Sequence, residues 1–98
     1  MNDLTASLSA DQPPEMSAPK QALWWLAKGD FKVGRAWEMA HDICQQAEGT
    51  RDYDLVHAVA HLIEGDVGNA DYWYRRAGVK RGSDDPQAEW HTVASMLG

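Results

Sequence analysis

The chain resembles itself at an offset of about 36 residues, the period of a helical-pair repeat. Ala27-Lys28-Gly29-Asp30, which precedes Trp37, returns as Ile63-Glu64-Gly65-Asp66, which precedes Trp73 at the same distance. The same offset places Ala22 on Ala58 and Leu26 on Leu62. Two copies of such a unit predict stacked helical hairpins, because each helix pair buries its apolar face only against a neighbour. The repeat constrains the fold and specifies no chemistry.

With 98 residues the chain is read as one domain, and a domain of this size buries only about two-thirds of its unfolded surface. Large side chains must therefore supply the core, and five Trp, three Tyr and one Phe are available. A net charge of −6 and a pI near 5.0 argue against nucleic acid as a partner, since that function needs a basic footprint. A single cysteine, Cys44, forms no internal disulfide and is expected to be a small buried apolar residue. Residues 1–17 carry neither the basic nor the apolar region of a signal peptide and, with Pro13-Pro14, read as a disordered leader. Residues 18–98 form the helical-hairpin domain, no run is long enough to span a membrane, and a cytoplasmic, bacterial-type protein is expected.

Ser17 or Ala18 followed by Pro19 predicts a first helix over about 19–28, stopped by Gly29. Val33, Ala36, Trp37, Ala40, Ile43, Cys44 and Ala47 recur at three- and four-residue steps, which predicts a second helix from Asp30 or Val33 to Ala47. A third helix is expected over about 52–64 with Leu55, Val56, Val59, Leu62 and Ile63 inward. Asn69 is read as the N-cap of a fourth, which ends at Gly78, and Asp85-Pro86 opens a fifth that reaches about Leu97. No segment alternates with period two, so the fold class is all-α: two antiparallel hairpins and a closing C-terminal helix.

The stretch from Gly65 to Ala77 resembles the turn and second helix of a tetratricopeptide or Sel1-like repeat, with Gly65, Ala70, Tyr74 and Ala77 at the matching positions. In the first copy the alanine is delayed to Ala36 by an insertion around Lys32 to Gly34. The whole of 22–78 is also similar to a family of short uncharacterised bacterial proteins with Ala-Leu-Trp-Trp near the start and Tyr-Trp-Tyr-Arg-Arg-Ala near the end. The repeat resemblance implies a protein- or peptide-binding module; the second resemblance implies no activity.

One constellation suggests chemistry. At 100° per residue His57, His61 and Glu64 fall within about 60° of one another on the third helix, opposite Leu55, Val59 and Ile63. Histidines four apart are a spacing that helical zinc sites use, and a carboxylate beyond them can ligate, orient a ligand or carry a proton. His41, beside Trp37, reaches the same place if the second and third helices pair, and would then complete a divalent-metal site. The alternative reading leaves these side chains on a solvated or groove-lining face. Metal or acid–base chemistry at His41, His57, His61 and Glu64 therefore stands as the alternative to a binding module.

Two further features read more plainly as packing. Tyr72-Trp73-Tyr74-Arg75-Arg76 with Lys80 and Arg81 interleaves aromatics with cations, but Trp73 and Tyr74 share a face with Ala70 and Ala77. Trp24 and Trp25 point about 100° apart, so one enters the core and the other lies at an edge, under the leader or in an interface. Trp24, Trp25 and Tyr53 are accordingly the expected interface residues, and a two-fold homodimer would cover the second indole. A binding groove built on the first helix of each hairpin would display Tyr53, His57, His61 and Glu64.

Overall fold

Pro19 and Pro86 stand in the first turns of their helices, where a missing N–H leaves no hydrogen bond unmade. The computed structural model describes residues 7–97. They form α1 (Ala18–Lys28), α2 (Arg35–Gln45), α3 (Arg51–Ile63), α4 (Val67–Arg76) and α5 (Pro86–Met96). No strand occurs among the described residues, so the protein is all-α. None of these helices is long and apolar enough to cross a membrane.

Helix α1 packs on α2, α3 packs on α4, and α5 lies against α3 and α1. Helix α3 is the only one that touches all four others, and every residue from Asp54 to Leu62 is buried. The core joins Ala22, Leu23 and Leu26 of α1 to Leu55, Val56 and Val59 of α3, with Ala40, Ala70, Tyr74, Trp90 and Val93 from the rest. Trp90 donates its indole N–H to the Leu23 carbonyl at 2.8 Å, which ties α5 to α1 across the domain.

The turns differ from expectation in ways that backbone geometry explains. Helix α2 starts at Arg35, because Asp30 and Phe31 both take left-handed conformations (φ 58° and 56°) that cannot continue a right-handed helix. Val33 consequently lies outside the helix and is 59% exposed. Gly29 is not left-handed; a Cβ there would sit 3.0 Å from the Ala36 Cβ, a tight contact that α2 would have to yield to by a few tenths of an ångström. In the second copy Gly65 itself is left-handed (φ 85°), so the two Gly-Asp turns are different structures. Helix α4 begins three residues earlier than Asn69 predicts. Its cap is Asp66, whose carboxylate accepts the Asn69 N–H at 3.2 Å and also suits the positive end of the helix.

Of the expected leader, residues 1–6 lie outside the described residues, and residues 7–16 contain no helix. Ser7 Oγ accepts the Trp24 indole N–H at 3.0 Å, and the Leu8 carbonyl accepts from Lys28 Nζ at 2.7 Å. Leu8 also packs against the core. Trp24 is thereby fully buried, while Trp25 is half-buried with its ring edge-on to Trp24 at 5.0 Å.

Candidate metal centre

His57 and His61 are one turn apart on α3 and so share a side of it. Trp37 and His41 are likewise one turn apart on α2. Trp37 donates its indole N–H to the Ala60 carbonyl at 2.7 Å, which fastens α2 to α3 and brings His41 to the two α3 histidines. His41 Nε2 lies 3.1 Å from His57 Nε2, and one ring nitrogen from each of His41, His57 and His61 falls within 4.8 Å of the others. The Trp37 indole stacks on His41 (4.9 Å between centroids, 11° between planes), and the Trp73 indole of α4 stacks on His57 (4.0 Å, 18°). Three imidazoles thus sit between Trp37 and Trp73, the two tryptophans 36 residues apart.

Burial, followed by the neighbouring His41 and His61, pushes the His57 pKa down to about 3. Burial and then His61 also lower that of His41, against the opposing pull of Asp42, Glu64 and Glu48. Both rings are therefore neutral near pH 7, with lone pairs available for a cation. Ligand nitrogens about 2.0–2.1 Å from a tetrahedral zinc stand about 3.3 Å apart, so the separation between His41 and His57 is already close to the spacing of ligands. His57 faces His41 through Nε2, and its other ring nitrogen, Nδ1, is buried without a partner.

Glu64 lies against His61 and is not grouped with His41 and His57. Its Oε1 lies 2.5 Å from His61 Nδ1, leaving Nε2 as the ring nitrogen with which His61 can ligate. A carboxylate behind a histidine fixes the tautomer and raises its basicity, as in many metal sites. His61, Glu64 and Asp66 form a second, more exposed group of potential ligands. Asp66, however, is already engaged as the cap of α4.

The expectation of a solvated groove is overturned. His57 is 2% and His61 7% exposed, because α2 and α4 cover the side of α3 that carries them. Tyr53 is half-buried and Glu64 is at the surface, so the four residues do not form one displayed face. Trp24 cannot be an interface residue, since it is fully buried; Trp25 remains accessible. Trp37 and Trp73, which spacing marks only as packing residues, are walls of the cluster, and the signal that could have found them is the 36-residue offset between them.

Two cations of the basic and aromatic stretch, Arg76 and Arg81, are paired within the chain. Arg81 bonds Asp71 at 2.7 Å and also pairs with Asp84, and Arg76 donates to the Tyr72 hydroxyl at 3.0 Å. Two buried carboxylates went unnoticed in the sequence. Glu89, 4% exposed, accepts the Tyr74 hydroxyl at 2.8 Å, and Asp54, fully buried, accepts the Gly49 N–H at 3.1 Å. Burial and then Asp54 raise the pKa of the Cys44 thiol, which is inert in the core. No protein-family model, curated protein or solved structure matches the chain.

Proposed function

We propose that this chain is a small helical metal-binding protein whose ion, of the divalent first-row transition class, is held by His41, His57 and His61. The observation that supports this best is the convergence of three ring nitrogens within 4.8 Å from two helices that Trp37 fastens together. Imidazole donors suit zinc, copper, nickel and cobalt, whereas magnesium and calcium take oxygen. The neutral state of His41 and His57 supports the same reading, because a ligating imidazole must be unprotonated.

Thermal unfolding at about pH 7.5 with zinc, nickel or cobalt tests it. An ion that binds only the folded chain adds about 2.7 kcal/mol at a hundredfold excess over Kd, which raises Tm by on the order of 10 °C in a domain of this size. The rise shrinks as pH falls and protons compete for the ring nitrogens, and the lowered pKa values of His57 and His41 delay that loss to below the range of an ordinary imidazole. His61→Ala abolishes it, and His91→Ala, exposed on α5, leaves it intact. A Tm that ignores all three metals overturns the reading.

A second reading, a protein- or peptide-binding helical module, draws support from a hollow of about 390 Å³ between residues 11–12, α1 and α2. Half-buried Trp25 and exposed Met39 give it an apolar wall, with Lys28 and Arg35 alongside. Such a module would select peptides that Trp25→Ala and Arg35→Glu no longer bind, with metal binding unchanged. Selected peptides indifferent to both substitutions would overturn it.

A further inference from the structure

We infer that the three-histidine centre is an open coordination site, in which the ion keeps one position for an exchangeable small anion of the carboxylate or azide class. The inference rests on the metal reading above and concerns what completes the ion's shell. Among the described residues no fourth potential ligand joins the three histidines within the same 4.8 Å. Glu64, three residues beyond His61, has its Oε1 held on His61 Nδ1, and Asp42, next to His41, is not part of the cluster. Asp66 shares a group with His61 and Glu64 but not with His41 or His57, and its Oδ1 caps α4. Cys44, one turn along α2 from His41, is not part of the cluster.

Zinc-like ions take at least four ligands, so three imidazoles leave one position over, the arrangement by which catalytic sites differ from closed structural ones. Imidazole ligands bring no negative charge of their own, so even with the Glu64 carboxylate behind His61 an anion at the remaining position is favoured over a neutral donor. Access follows from burial. His57 and His61 are enclosed, but His41 is half-buried and Glu64 reaches the surface, so an exchanging ligand would enter past these two residues.

Cobalt(II) loaded into the whole, unsubstituted chain provides the test, because its visible absorption reports both coordination number and ligand exchange. The expected result is the intense spectrum of a four-coordinate ion that sodium azide changes saturably, with acetate competing for the same position. An intense cobalt spectrum that neither azide nor acetate alters means a protein ligand closes the site; that overturns this inference and leaves the metal reading standing. If no cobalt spectrum develops and zinc does not change Tm, the metal reading fails and takes this inference with it.

Discussion

His41 and His57 face each other across the seam between α2 and α3 with their Nε2 atoms 3.1 Å apart, so one ring must donate and the other accept. A proton on both nitrogens places two N–H groups against each other in a buried site. Burial first, and this confrontation with His41 second, depress the His57 pKa, and the sign of the shift sets a pH window. The unfolded chain takes up a proton near pH 6.5, but the folded chain resists until about pH 3. Stability contributed by neutral His57 is present above pH 6.5 and is lost progressively as pH falls between those two values. Urea midpoints of the metal-free chain should therefore fall from about pH 7 to pH 5, and His57→Leu should flatten that fall.

Glu64→Gln separates an orienting role from a ligating one. If Glu64 acts through His61, the substitution weakens metal affinity by about 10- to 100-fold while three-nitrogen ligation persists. Competition against a chelator of known affinity measures the loss, and the cobalt spectrum shows whether the ligand set is retained.

Trp37 and Trp73 should differ in cost. Trp73 is 8% exposed and stacked on His57, and Trp73→Ala removes roughly 3–5 kcal/mol, enough to threaten folding. Trp37 is half-buried, and Trp37→Phe gives up its bond to Ala60 at roughly 0.5–1.5 kcal/mol. Because that bond fastens α2 to α3 beside the histidines, Trp37→Phe should also weaken metal binding. Urea unfolding and chelator competition on the same variant check both effects.

Tyr74→Phe leaves the Glu89 carboxyl buried without the hydroxyl that now bonds it at 2.8 Å. An orphaned buried acceptor costs about 1–3 kcal/mol, which should lower the urea midpoint without changing metal affinity. Glu89→Gln should cost less, since an amide oxygen still accepts from Tyr74 and carries no charge.

Helix content was legible because its signals are local. Pro19, Asp85-Pro86, Gly65 and Gly78 act through the dihedrals and hydrogen bonds of their own turns, and all four mark helix ends in the structure. The start of α2 was not legible, because Asp30 and Phe31 occupy a conformation that their residue types seldom adopt. Phe31 is anchored there by packing edge-on to Trp90 at 5.9 Å, a contact between residues far apart in sequence.

The sequence by itself determined an all-α chain, the grouping of its helices and the one-turn spacing of His57 and His61, since periodicity and turn chemistry act over a few residues. Only the tertiary structure decided that those histidines are enclosed. A helical period says which residues share a face and nothing about what covers it. Here α2 and α4 cover it, Trp37 and Trp73 flank the rings, and His41 joins them because a single indole N–H reaches the Ala60 carbonyl. The change of environment, more than the residues themselves, makes three surface-patterned histidines a buried cluster with neutral rings at His41 and His57.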